Sequence, residues 1–166
     1  VTLERVLTVI SKIMTRTAYI ELLYENKGAL IHLIKLCQAS SWVAEHIAKY
    51  PILLDELIDP NLLHNPPALS NYRDELRLVM LRIPEDDLEA QMDTLRQFKQ
   101  AQHLRIAVAD IVGVLPLTKV SDHLTALAEA IIIEVMNLSW QQVTQRFGIP
   151  SSLAGSEDKN FSVIAY

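Results

Sequence analysis

Residues 87–112, DLEAQMDTLRQFKQAQHLRIAVADIV, place Leu88, Met92, Leu95, Phe98, Gln102, Leu104, Ile106, Ala109 and Val112 at helical rather than alternating intervals. Acidic residues crowd the start of this run (Glu85, Asp86, Asp87, Glu89), where they face the positive end of a helix dipole. Pro84 suits a first turn, Gly113 can adopt the left-handed conformation that ends a helix, and Pro116 is expected to prevent its resumption. The spacing predicts a long helix over about 85–112. Its later half thickens to IAVADIV, an apolar surface wide enough to require enclosure by several neighbours.

The same rhythm predicts a helix over residues 2–25, capped by Thr2, with Leu3, Val6, Leu7, Ile10, Ile13, Met14, Ala18, Ile20, Leu22 and Leu23 inward. Shorter helices follow over 29–39 (Leu30, Leu33, Ile34 and Cys37 on one side), over 42–49 capped by Ser40 or Ser41, and over 52–58 after the Tyr50-Pro51 break. Residues 59–67 read as the longest loop in the body. A helix over 72–82, capped by Ser70 or Asn71, carries Leu76, Val79, Met80 and Ile83. A second long helix, about 121–147, starts at Ser121 and Asp122. Its inward residues are Leu124, Leu127, Ala128, Ile131, Val135, Leu138, Trp140 and Val143. The tight connector 114–120 makes the two long helices expected antiparallel neighbours.

The tail departs from this pattern. Residues 151–160 are polar and read as a loop, while FSVIAY (161–166) alternates like a strand. A lone strand has no partner in this chain and is not stable by itself. The expected architecture is an all-α, multi-helix bundle over 1–150, a loop over 151–160 and an orphan β-strand over 161–166 that begins a further domain.

Composition narrows the function classes. Half of the 166 residues are hydrophobic, few are aromatic and four are glycine, a profile that fits helices better than a sandwich or barrel. The net charge of −5 argues against a general nucleic-acid binder. No apolar run approaches a membrane span, no signal peptide is apparent, and a single cysteine excludes an intrachain disulfide; together these predict a cytoplasmic protein with no membrane partner.

Candidate chemistry is sparse. His32, His46, His64, His103 and His123 form no H-x-x-x-H or H-x-H pair, so they predict no metal site. Cys37 falls on an apolar helix face and reads as packing. The adjacent carboxylates Asp55-Glu56, Asp74-Glu75 and Asp86-Asp87 project about 100° apart on a helix and do not converge on one ion. Gly155-Ser156-Glu157-Asp158 lacks the second spaced aspartate of a nucleotidyltransferase motif. Arg96, Lys99, His103 and Arg105 could offer a basic stripe, and residues 41–59, with Trp42 and Tyr50, could dock another domain; a solvated helix face and core burial are the simpler readings of each. The residues thus predict no catalytic, cofactor-binding or metal-ligating side chain.

Four stretches together resemble a family: TRTAYIELLYEN (15–26), YPILLDELIDP (50–60), FKQAQHLRIAVADIVGVLPLTKVSDHLTALAEA (98–130) and FSVIAY (161–166). They are similar to the bacterial glutamine synthetase adenylyltransferases, also called adenylyl-removing enzymes. The resemblance implies the helical region just ahead of the second nucleotidyltransferase core, with residues 161–166 as that core's first strand. In the family, a glycine-rich turn and paired aspartates then hold Mg²⁺ and ATP. This sequence stops at Tyr166, before those residues, so the resemblance places no catalytic residue here and implies a segment inert alone. For the parent it implies AMP transfer from ATP to a tyrosine of glutamine synthetase, removal of that AMP, and response to the PII signalling protein. The alternative is a stand-alone helical protein-interaction module without enzymatic activity.

Overall fold

In the computed structural model, which describes residues 1–57, 65–156 and 159–164, regular structure is helical throughout. The α-helices are α1 (Thr2–Ile13), α2 (Thr17–Glu25), α3 (Lys27–Ala39), α4 (Ser41–Lys49), α5 (Tyr72–Met80), α6 (Leu88–Ile111) and α7 (Leu117–Phe147). Short 3-10 segments occupy Pro51–Leu57, Leu69–Asn71 and Ser151–Leu153.

Two apolar clusters share α6. The first gathers Val9 and Ile13 of α1, Leu23 of α2, Leu33 and Cys37 of α3, Val43 and Ile47 of α4, and Leu53, Leu54 and Leu57 of the 3-10 segment, and is closed by Leu104 and Val108 of α6. The second joins Tyr72 and Leu76 of α5 to Leu95, Phe98 and Ile106 of α6 and Leu127 and Ala130 of α7. Helix α6 is therefore the element against which both halves of the chain pack.

The expected first helix is broken in two. Arg16 is extended (φ −119°, ψ 91°), and its N–H still donates to Ile13 O at 2.8 Å. The break falls between Thr15 and Thr17, both poor helix formers. It redirects the chain so that Leu23 enters the core that Ile13 ends on. Leu3, Leu7 and Met14 of the expected inward face are exposed. Ser40 caps α4 as expected, its hydroxyl accepting from Val43 N at 3.3 Å. Val1 and Asn71, at the N-caps of α1 and α5, make no side-chain capping bond. Residues 51–57 form a 3-10 segment where an α-helix over 52–58 was expected; Ile58, and with it 58–64, lies outside the described residues.

The first long helix starts at Leu88, three residues later than expected. Asp87 Oδ1 accepts from Ala90 N at 2.9 Å, and the Gln91 amide donates to Pro84 O and Glu85 O, holding 84–87 as a turn. Its end follows the expectation: Gly113 has φ +76°, Gly113 N donates to Asp110 O, and Val114 N donates to Ala109 O. These are the two bonds of a Schellman cap. The second long helix, however, starts at Leu117 and not at Ser121. Pro116 is its N-cap rather than a barrier, because a proline at a helix start lacks only an N–H that would be unbonded anyway. Buried side chains of α7 are His123, Leu127 and Ala130; Leu124, Ala128, Val135 and Val143 of the expected inward set are exposed.

Of the strand expected over 161–166, the described part, 161–164, is not formed. Residues 161–164 have no regular structure, and Ala165 and Tyr166 lie outside the described residues. No strand is present among the described residues to supply ladder partners. Instead Phe161 and Val163 line an apolar groove with Ile131, Val135 and Trp140 on α7.

Candidate functional site

The polar chemistry gathers where the two apolar clusters meet on α6. Gln102 and Arg105, one turn apart, face carboxylates from two other elements. Arg105 donates to Glu56 Oε2 of the 3-10 segment through Nε (2.9 Å) and Nη2 (2.8 Å). Gln102 Nε2 donates to Glu75 Oε2 of α5 at 3.3 Å. With Asp55 these side chains line a groove of about 540 Å³ whose walls include Ile52, Leu53, Leu78, Val79 and Phe98. Partial burial against the groove wall, with the neighbouring Glu56, raises the otherwise exposed Asp55 carboxyl above its ordinary value.

Beside this groove the Tyr72 hydroxyl lies 2.9 Å from His123 Nδ1, bridging α5 and α7 inside the second cluster. Burial, reinforced by Glu75 and opposed by Arg105, pushes the phenol up to about 12. His123 is pushed down by burial, with Asp122 pulling the other way. At neutral pH both groups are therefore uncharged, and the imidazole tautomer sets which of the two donates. The pair fixes α5 against α7. Nothing about it generates a nucleophile, because a phenol held at about 12 is not ionised under ordinary conditions.

Arg96, Lys99, His103 and Arg105 of α6 do not form one basic stripe. Arg96 pairs with Asp93 at 2.6 Å, and Arg105 turns inward to Glu56. Lys99 and His103 instead approach α4, where Trp42 stacks on His46 (4.6 Å, 15°) and His46 meets Tyr50 edge-on (5.2 Å). Burial lowers both His46 and His103; at His46 a backbone hydrogen bond at Gln100 opposes it while Lys49 and Lys99 add to it, and at His103 Lys99 and His46 add to it. Trp42 is 46% exposed, so residues 41–57 are only partly core.

Cys37 is fully buried, and burial raises its thiol against the opposing effect of Arg5. Arg5 itself donates to Cys37 O at 2.9 Å and Gln38 O at 3.3 Å, placing a cation at the negative end of α3. Of the adjacent carboxylates, Asp74 and Glu75 diverge, Glu75 turning to Gln102 while Asp74 faces a different groove; Asp55 and Glu56 line the same groove, Glu56 bonded to Arg105 and Asp55 exposed beside it. No group of three or more His, Cys, Asp or Glu side chains that could hold a metal occurs among the described residues. Of Gly155-Ser156-Glu157-Asp158, the two acidic residues lie outside them. No described helix is long and apolar enough to cross a membrane.

Sequence reasoning missed the convergence of Glu56 and Glu75 on one turn of α6, and it missed the Tyr72–His123 bond. A signal for the first was present: Gln102 occupies an apolar position in the helical rhythm, and a polar side chain buried there needs partners from neighbouring elements.

Residues 30–166 match the family model for glutamate-ammonia ligase adenylyltransferase. The chain is 56% identical over 163 residues, 98% of its length, to the bifunctional glutamine synthetase adenylyltransferase/adenylyl-removing enzyme of Shewanella oneidensis. It spans 17% of the length of that relative. A match over most of the chain, ordered along a helical scaffold, identifies it as a member of the glutamate-ammonia ligase adenylyltransferase family.

Proposed function

We propose that this chain is a non-catalytic helical part of a bifunctional glutamine synthetase adenylyltransferase, bracing the nucleotidyltransferase core that follows it. The observation that carries the reading is the 56% identity across 98% of the chain to a relative of which the chain spans only 17%. The parent enzyme transfers AMP from ATP to a tyrosine of glutamine synthetase and removes it again, acts in the cytoplasm, and answers to the PII signalling protein. Residues 1–150 are the helical domain, 151–160 a linker, and 161–166 the lead into the core.

Mg²⁺ and ATP belong to the parent's core. The described residues do not fit them: Glu56 and Glu75 are bonded to Arg105 and Gln102, and no group of three or more His, Cys, Asp or Glu side chains among the described residues could hold a metal. Two-metal phosphoryl transfer needs carboxylates that converge on the metal ions, so no step of that reaction is assigned to a residue of this chain.

The bracing role uses α6 and α7 as antiparallel neighbours. The short connection over residues 112–116 and the packing of Leu95, Phe98 and Ile106 against Leu127 and Ala130 support that orientation.

The test compares the 166-residue chain with the full-length protein in an assay of labelled AMP transfer from ATP to glutamine synthetase. The full-length protein is expected to label its target and the chain to leave it unlabelled. Transfer by the chain alone, or none by the full-length protein, overturns the proposal.

A further inference from the structure

The groove between the 3-10 segment, α5 and α6 combines apolar walls with an acidic rim. Its charged lining is Asp55, Glu56 and Glu75 against Arg105, three negative charges to one positive. Glu56 is already held by Arg105 through two bonds, whereas the bond to Glu75 is a single 3.3 Å contact from Gln102. Asp55 is exposed beside Glu56. A separate observation concerns the floor: Gln102 is 2% exposed, and its buried Oε1 has no hydrogen-bond partner. Buried carbonyl oxygens are ordinarily paired, so this oxygen is an internal cost of the junction, closed off from the groove, and the contacts open to an occupant are the carboxylates of the rim.

The apolar part is equally specific. Leu78 is 62% exposed, and Ile52 and Val79 are more than a third exposed, all three lining the same groove. Its volume of about 540 Å³ suits a few side chains rather than a domain face. An anionic occupant would be repelled by the rim. A small free polyamine would satisfy the carboxylates and leave the apolar wall wet. A lysine or arginine side chain matches both features, because its alkyl stem covers apolar surface while its head reaches a carboxylate.

We propose that this groove is a docking site for a cationic, apolar segment of a protein partner, its basic side chain lying along Leu78 and Val79 with the charged head at Asp55 and Glu75. The site is independent of the adenylyltransferase reading, and its test requires no AMP transfer.

The test selects displayed random seven-residue peptides on the immobilised chain, then measures synthetic copies of the enriched peptides by calorimetry and by amide chemical-shift mapping. Enriched peptides are expected to carry Lys or Arg flanked by apolar residues and to shift the amides of Leu78, Val79, Phe98 and Ala101. Glu75→Gln and Asp55→Asn should each weaken binding at least tenfold, as should norleucine in place of the basic residue. Asp93→Asn, outside the groove, should leave it unchanged. Spermidine, the free-amine control, should bind at least a hundredfold more weakly than the peptides. Failure to enrich any sequence, enrichment without a basic residue, shifts that map elsewhere, or spermidine binding as tightly overturns the proposal. So does affinity indifferent to both substitutions. If Glu75→Gln disturbs folding, Asp55→Asn decides, because that side chain is exposed.

Discussion

The two apolar clusters on α6 are built differently. The first is filled by aliphatic side chains from five elements besides α6, and its main polar tie, Arg5 to the carbonyls ending α3, lies at the edge. The second has fewer members and runs a directional bond through its interior, Tyr72 to His123, with the grooved polar junction on one side. Volume alone holds the first together. The second also depends on register, because α5 and α7 must place a phenol and an imidazole 2.9 Å apart. A single helix can thus support a core that specifies little beyond its shape and one that specifies an alignment.

The largest test of this contrast is Leu54→Ala, which empties a fully buried site in the first cluster and should cost about 4 kcal/mol in chemical denaturation. Leu127→Ala in the second cluster should cost about 3 kcal/mol, since that cluster has fewer buried members to hold the emptied space open. Equal or reversed costs would break the distinction. Tyr72→Phe keeps the ring and leaves His123 Nδ1 without its partner; about 2 kcal/mol should be lost. That loss should appear as faster amide exchange in α5 and α7 while α1 to α4 stay protected. Glu56→Gln should cost about 1 kcal/mol, because its pair with Arg105 is still partly reached by solvent.

The smallest effect is that of pH. His46, His103 and His123 all lie below their unfolded value of about 6.5, so the unfolded chain binds protons more readily than the folded one. Their contribution to stability is complete above that value and is lost as pH falls through it. Asp55 is raised and acts with the opposite sign in the more acid carboxylate range. Melting temperature should therefore drop between pH 7.5 and 5.5, and His103→Gln should reduce the drop. An unchanged profile would remove the first cluster's surface from the account.

Helix positions were legible because the 3.6-residue rhythm survives in every long element, and Gly113 ends α6 by the cap its residue type implies. The ends were less legible. Pro116 opens α7, although a proline after a glycine reads equally well as a stop. Exposed Leu3, Leu7 and Leu124 belong to faces whose periodicity predicts burial, since the pattern records which residues share a face and not whether another element covers it. The groove was invisible for a related reason. Glu56, Glu75 and Arg105 are far apart in sequence, and their meeting depends on how three elements pack.

The band from Leu104 to Ala109 has a consequence for how the chain can vary. Leu104 and Val108 belong to one cluster and Ile106 to the other, and Ala109 is fully buried as well. A change of volume at most core sites can be absorbed by movement of one neighbouring helix. Here relief on one side is compression on the other, so an acceptable replacement requires coordinated changes in both halves. Sequence drift through this band should therefore be slow and correlated, and a saturation library over these six positions should yield far fewer folded members than one over the exposed face of α7.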